Sequence, residues 1–344
     1  MTRIAVLGAG ANGASIGADL TAAGLDVTLI EQWPAHVETM RAQGVLIETP
    51  AESYRVPVRA LHLCEVASVR EPFDVVFMLV KAYDSRWAAE LIRPLLSSDG
   101  LLVGVQNGMT SDDIADVVGE DRTLGCVIEI SSMMFEPGIV ERHSGKDRSW
   151  FAVGSMTQHT AHRAAEIASL LSHAGTVEVV DDIRAAKWMK LVSNATTLVT
   201  TAILGAPMLD AAATPAMREL MIRSGLEALE AGRLQGLPVR PIFGLSQADV
   251  DGASNLVEML LDTLLENFVI PTTKTTILQD WMKGRRSEVD DINGRVARVL
   301  QQHDKAAPVN SAVVDIAQRI ERGEIEPGPQ NLALLLKASE PDAR

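Results

Sequence analysis

Over the first half of the chain, short apolar runs alternate with segments whose apolar residues recur at helical spacing. That alternation predicts a parallel, doubly wound sheet. Residues 3–7 (RIAVL) and 26–30 (DVTLI) read as the first two strands, with a helix between them that stops at Gly24. Glycine suits the left-handed residue that ends many helices. Residues 74–80 and 101–105 are almost wholly apolar, as strands buried on both faces should be. Between them Asp84 is the expected N-cap of a helix carrying Trp87, Leu91 and Leu95. Segments 126–130, 138–140, 150–153 and 176–180 read as further strands, and 160–172 as a helix. After Asp182 only helical spacing remains, near 183–203, 213–235, 252–267, 274–283, 287–303 and 308–322. The pattern therefore predicts an α/β protein: an N-terminal Rossmann domain over residues 1–181 and an all-helical C-terminal domain over 182–344.

Composition narrows the function. The 344 residues exceed one ordinary core, in line with two domains. A formal net charge of −14 without a basic cluster argues against nucleic acid, because a phosphate-backbone binder needs a cationic face. The densest basic stretch, Lys283, Arg285 and Arg286, runs directly into Glu288, Asp290 and Asp291. Cys64 and Cys126 stand apart with no metal-ligand spacing, and the seven histidines are scattered, so no metal is expected. The uncharged stretch 191–209 is long enough to span a membrane. It carries Ser193, Asn194, four threonines, Gly205 and Pro207, so it reads as a buried helix and its end. With a strand expected from Arg3 and no room for a signal peptide, the expectation is a cytoplasmic protein with no membrane partner.

Candidate chemistry begins at Gly8, Ala9, Gly10, Ala11, Asn12 and Gly13, a GxGxxG motif. Such a hexamer says little alone, but here it follows a predicted strand and opens a predicted helix. The first glycine allows the tight turn, the second lets the backbone approach a pyrophosphate, and the third permits close helix–sheet packing. The helix N-terminus adds free amides and partial positive charge. Glu31 ends the second predicted strand, where a carboxylate can accept hydrogen bonds from ribose hydroxyls. It would repel a 2′-phosphate by roughly 1–3 kcal/mol per unit charge, and the following Gln32, Trp33, Pro34 and Ala35 offer no cation. NAD(H) is therefore expected in preference to NADP(H). Lys81 and Asn107 fall just past the carboxyl ends of predicted parallel strands, where ligands bind in open α/β sheets.

Widely separated segments together resemble the ketopantoate reductase (2-dehydropantoate 2-reductase) family. They are IAVLGAG at 4–10, VKAY at 80–83, QNG at 106–108, and PG at 137–138 with HSG at 143–145. They continue with DDIRAAKWMKL at 181–191, Asn194, QD at 279–280, SEVD at 287–290, NG at 293–294 and PVN at 308–310. The resemblance covers nearly the whole chain in the family's order. It implies reduction of a small 2-oxo acid by nicotinamide hydride, with 2-dehydropantoate going to pantoate as the leading reaction. It also implies that Lys190 is the catalytic lysine, that Lys81 and Asn107 contact cofactor, and that Asn107 also lies near the reacting carbonyl. Glu288 corresponds to a glutamate near the nicotinamide ribose and the lysine; without that role it would be an exposed carboxylate at a helix start. Asn194 lies one helical turn beyond Lys190 on the same face and can hold a substrate carboxylate or carbonyl. Lys187 lacks the motif position and is expected to matter far less.

Two positions depart from the family. Leu198 stands where a second asparagine is common, and Thr276, beside Thr275, where a substrate-contacting serine is found. Both changes weaken discrimination for a hydroxylated substrate. The alternative is an NAD-dependent dehydrogenase of another branched or aromatic D-2-hydroxy acid. A cofactor-binding regulator without catalysis would not be expected to keep Lys190, Asn194 and Glu288. The helical half could bury a homodimer face.

Overall fold

The structure, a computed structural model, describes residues 1–340. These divide into two compact units, the first covering Met1–Lys187 and the second running from Trp188 onward.

The first unit opens with β1 (Arg3–Leu7), α1 (Ala11–Ala22), β2 (Asp26–Glu31) and α2 (Pro34–Gln43). Three short strands follow: β3 (Val45–Glu48), β4 (Ser53–Val56) and β5 (Arg59–His62). Next come β6 (Phe73–Met78), α3 (Ser85–Ile92), β7 (Leu96–Gly104), α4 (Ser111–Val118) and β8 (Thr123–Glu129). The unit continues through β9 (Ser132–Met133), β10 (Ile139–Arg142), β11 (Trp150–Ser155), α5 (Arg163–Leu171) and β12 (Thr176–Val179). The main sheet has eight strands in the order β12-β11-β8-β7-β6-β1-β2-β5. Every pairing from β8 to β5 is parallel; β11 joins β8 antiparallel and β12 lies parallel beside it. Apolar clusters cover both faces of this sheet. One contains Ile4, Val6, Ile16 and Leu29, and the other Ala5, Leu7, Ile30, Val76 and Ile92. The alternation of β1 residues between the clusters follows from the period-two projection of strand side chains.

The chain leaves β1 toward β2 and later returns to β6 on the opposite side of β1. This reversal of strand order is the switch point at which such sheets open a crevice at their carboxyl ends. Gly24 ends α1 with φ +83, as expected of a left-handed terminal glycine. Asp84 does precede α3, yet its side chain caps no backbone amide; its carboxylate accepts the Trp87 indole N–H at 2.9 Å instead.

The sequence pattern gives one strand, at 138–140, of a second sheet of four, ordered β4-β3-β10-β9, and misses the other three. This sheet sits in the same unit, with β3 parallel to β10 and antiparallel to β4.

Helix α6 (Ile183–Ile203) carries the chain from the first unit into the second. The Asp182 carboxylate accepts the Ala185 amide at its start. The second unit then contains α7 (Met208–Ala212), α8 (Pro215–Leu234), α9 (Gln247–Gly252), α10 (Leu256–Phe268), α11 (Thr276–Met282), α12 (Asn293–Gln302), α13 (Pro308–Glu321) and α14 (Asn331–Ala338). Its described residues include no strand. Among the described residues no helix is long and apolar enough to cross a membrane. In α6 the hydroxyls of Thr196, Thr197, Thr200 and Thr201 each donate to the carbonyl four residues earlier, which lets threonine sit buried inside a helix.

Candidate active site

In the first unit the sequence candidates stand at the carboxyl ends of four adjacent strands: Asn107 after β7, Lys81 after β6, Gly8 after β1 and Glu31 at the end of β2. Gly8 has φ +93, and a Cβ there would lie 2.7 Å from the Val80 nitrogen. Its amide bonds the Ile30 carbonyl at 2.9 Å, so the turn is tied to both neighbouring strands. At Gly13 a Cβ would stand 2.0 Å from the Gly8 carbonyl oxygen, which no side chain tolerates. Gly10 differs, since a Cβ there would meet nothing within 4 Å. That is the open approach that a pyrophosphate needs. Gly10 also precedes α1, whose first turn holds no acidic residue, so its amides face an anion unopposed. These residues fit a dinucleotide.

Glu31 is buried, and one of its carboxylate oxygens accepts the Trp33 amide at 3.0 Å. Asn107 and Lys81 are half-buried. The turn at Asn107 is held from behind by Gln106. Its side chain donates to the Ser85 hydroxyl at 2.9 Å and accepts from Thr110 at 3.2 Å. Gly108 then takes φ +75.

Lys187, which lacks the motif position, is no surface lysine. It is 3% exposed, and its Nζ donates to the carbonyls of Gln106 at 2.9 Å and Cys126 at 3.3 Å. Burial lowers its pKa to about 8, against smaller raising effects from Cys126 and Asp112. Burial likewise pushes the Cys126 thiol up to about 12. A lysine fixed to the carbonyl beside Asn107 is part of the scaffold. The spacing of α6 gave no sign of this, because the carbonyls that Lys187 bonds lie 81 and 61 residues away in the chain.

In the second unit Lys190, Asn194 and Leu198 follow one another at four-residue intervals on α6. Lys190 is 8% exposed and Asn194 1%, whereas Leu198 is half-buried. The Lys190 Nζ lies 5.0 Å from the centroid of the Phe243 ring. Phe243, which sequence reasoning missed, has φ +63, a left-handed conformation that a bulky residue adopts only under constraint. Its ring packs on Phe268 with centroids 5.5 Å apart. Thr275 caps α11 by accepting the Leu278 amide, and its hydroxyl donates to the Leu198 carbonyl at 2.9 Å. That bond places Thr276, the first residue of α11, beside the Leu198 turn.

Glu288 is 3% exposed and precedes α12, which starts only at Asn293, so it is no exposed carboxylate at a helix start. Its carbonyl accepts the amides of Asp291 and Ile292, while neighbouring Ser287 is anchored to Glu321 at 2.8 Å through its amide. Behind the Lys190 face, the Ala195 carbonyl accepts from Ser224 at 2.9 Å and Asn293 at 3.1 Å. Asn293 also donates to Asn310 at 2.8 Å. The NG and PVN segments thus act as a buried polar clamp on α6.

Sequence comparison decides the family. The profile described as "Ketopantoate reductase PanE/ApbA" matches residues 4–156, and "Ketopantoate reductase PanE/ApbA C terminal" matches residues 182–321. The chain belongs to the ketopantoate reductase family. The 2-dehydropantoate 2-reductase of Mesorhizobium japonicum is 27% identical, covering 93% of this chain and 99% of the relative. That of Archaeoglobus fulgidus is 25% identical over 93% of this chain and 98% of its own length. Among solved structures, a PanE/ApbA family ketopantoate reductase from Ralstonia eutropha JMP134 superposes with a TM-score of 0.78 at 25% identity, covering 94% and 99% of the two chains. D-mandelate dehydrogenase bound to NADH and anilino(oxo)acetate shares the fold, with a TM-score of 0.82 at 20% identity over 94% and 99%. Members of this reductase family use a nicotinamide cofactor, and the loop from Gly8 to Gly13 suits one.

Proposed function

We propose that this chain reduces a small 2-oxo acid with a nicotinamide cofactor, and that its reaction is 2-dehydropantoate to pantoate with Lys190 as the acid. The observation that carries the reading is Lys190 itself: an ammonium withdrawn from solvent against an aromatic ring, with the Asn194 amide one turn away. A bound nicotinamide supplies the hydride. As hydride reaches C2, negative charge grows on the carbonyl oxygen; the Lys190 ammonium stabilises that charge and gives the oxygen its proton. Asn194 and Asn107 donate hydrogen bonds to the substrate, Thr276 presents its hydroxyl, and Glu288 supplies the carboxylate near Lys190 and the ribose. Gly8, Ala9, Gly10, Ala11, Asn12 and Gly13 hold the pyrophosphate, and Lys81 supports the cofactor. Glu31 meets the adenosine ribose and favours NAD(H) over NADP(H). Residues 1–181 serve the dinucleotide, and 182–344 serve the substrate and a homodimer face. The protein works in the cytoplasm, where its cysteines stay reduced.

Leu198 favours a second reading, a dehydrogenase of a more apolar D-2-hydroxy acid, because a leucine offers a hydroxylated substrate no hydrogen bond. One steady-state screen decides between them: 2-dehydropantoate, 2-oxoisovalerate and benzoylformate, each with NADH and NADPH. The first reading expects the highest kcat/KM for 2-dehydropantoate with NADH. A folded, nucleotide-binding protein that turns over none of the three acids sinks both readings. A tenfold preference for NADPH, on the order of 1.4 kcal/mol, sinks the role given to Glu31.

A further inference from the structure

We propose that His36 is a positioning residue for the dinucleotide site, a neutral imidazole strut that fixes the Ala9 carbonyl of the glycine-rich loop against the turn at Gly138. The inference rests on the reading of Gly8–Gly13 as the dinucleotide loop and extends it to a residue outside the motif.

His36 lies in the first turn of α2 and is fully buried. Each ring nitrogen has one partner. The Gly138 amide donates to Nδ1 at 2.8 Å, and Nε2 lies 2.9 Å from the Ala9 carbonyl. A backbone N–H can only donate, so Nδ1 holds a lone pair; a carbonyl can only accept, so Nε2 carries the hydrogen. The partners therefore dictate both the tautomer and the neutral state. A second proton would set an N–H at Nδ1 against the N–H of Gly138. The other ring contact is the Trp33 indole, with centroids 5.8 Å apart, and among the described residues no charged side chain hydrogen-bonds the imidazole. Burial holds its pKa below the ordinary imidazole value, against a smaller raising effect of the Ala9 bond.

Ala9 is the residue between the first two glycines of the loop. The Ala9–Gly10 peptide is trans and planar, so its C=O and N–H point in opposite directions. Anchoring the Ala9 carbonyl on His36 thereby aims the Gly10 N–H away from α2. Gly10 is the very position where a Cβ would meet open space. The far end of the strut is equally fixed. Gly138 takes φ +76, its carbonyl accepts the Leu46 amide at 2.8 Å, and a Cβ on it would stand 2.4 Å from Thr39 Cγ2 on α2. The small sheet reaches the loop a second time, where the Ser132 hydroxyl donates to the Asn12 side chain at 2.5 Å. The four-stranded sheet thus braces the loop at Ala9 through His36 and at Asn12 directly.

The test titrates NADH and NADPH by fluorescence into the native protein, His36→Leu and His36→Gln, with thermal unfolding and kcat at saturating nucleotide in parallel. His36→Leu leaves a buried carbonyl and a buried amide unpaired. It should weaken nucleotide binding about tenfold, on the order of 1.4 kcal/mol, with kcat at saturation within about twofold of native. His36→Gln offers one donor and one acceptor and should recover affinity to within about threefold. In the native protein affinity should fall as pH drops below the ordinary imidazole range, because only the neutral ring accepts from Gly138; His36→Gln should lack that fall. Folded His36→Leu binding as tightly as native overturns the strut. Should His36→Leu not fold, His36→Gln decides: the same acid loss of affinity in that variant overturns the strut, and its absence supports it. Native protein that binds neither nucleotide overturns the loop reading itself, and the strut with it.

Discussion

Lys187 and Lys190 stand three residues apart on one helix, and their surroundings assign them different work. Lys190 faces an aromatic ring and is the proposed proton donor. If so, its interaction is stronger in the transition state than in the ground state. Lys190→Ala should then lower kcat by about a hundred- to ten-thousandfold, roughly 3–5 kcal/mol, with NADH affinity little changed. A variant that binds NADH and keeps more than about a tenth of native turnover would remove Lys190 from the chemistry. Lys187 instead ties the carbonyls of Gln106 and Cys126, and its pKa falls from 10.5 to about 8 in the fold. The unfolded chain therefore binds more protons than the folded one above about pH 8, and the contribution of Lys187 to stability rises with pH there. Cys126 works in the opposite sense once the unfolded thiol ionises near pH 9, since its folded pKa is pushed up to about 12. The clean window is pH 8 to 9, where native stability to urea should rise by about 1 kcal/mol. Lys187→Met should abolish that rise; a variant with the native slope would assign it to another group.

Among the elements, the turn from β1 to α1 was legible in full because its requirements are local. A strand, three glycines at fixed spacing and a helical pattern occupy one short stretch of chain. Gly13→Ala puts the better helix former, by about 1 kcal/mol, into α1. The Cβ would nonetheless stand 2.0 Å from the Gly8 oxygen, so the loop must move. Lower thermal stability and at least tenfold weaker NADH binding are expected; unchanged binding would mean the loop does not set nucleotide affinity. Helix α6 was likewise visible, with Lys190, Asn194 and Leu198 at four-residue spacing. The Thr275 bond to the Leu198 carbonyl adds what spacing could not: α11 is tied to this part of α6. Leu198→Asn should raise kcat/KM for hydroxylated 2-oxo acids relative to aliphatic ones. An unaltered ratio would place Leu198 outside the substrate's reach. Of the small sheet only the strand at 138–140 was read, because its strands run two to four residues, too short for an alternating signal. Its parallel pair, β3 with β10, joins Leu46 to Ile139 across about half of the unit's sequence.

At the scale of the molecule, one buried ion pair joins distant parts of the first unit. Arg142 on β10 reaches Asp19 of α1, and both are almost fully buried. The remaining guanidinium donors bind the carbonyls of Ser144 at 2.8 Å and Ala174 at 2.7 Å, and the Ser149 hydroxyl at 2.9 Å. Every guanidinium nitrogen thus has a partner, the condition under which buried charge is tolerated. Arg142→Leu should strand the Asp19 carboxylate, leaving it Lys146 at 3.1 Å as its cation. Chemical denaturation should show a loss of about 3 kcal/mol, and a loss below about 1 kcal/mol would mean that the network carries little stability.

By itself the sequence determined the class of fold, the strand–turn–helix of the glycine-rich loop and the family, because each is written in patterns a few residues long or in motifs kept in order along the chain. It could not determine which polar residues are buried. Nothing local separates Lys187 from a surface lysine, Glu288 from an exposed helix-start carboxylate, or His36 from an ordinary core histidine. Their partners lie far off in sequence: Gln106 for Lys187, Ala9 and Gly138 for His36. Only the tertiary structure brings those partners within hydrogen-bonding distance. The energy of a buried polar group depends on its partners more than on its own identity, so their roles were decided there.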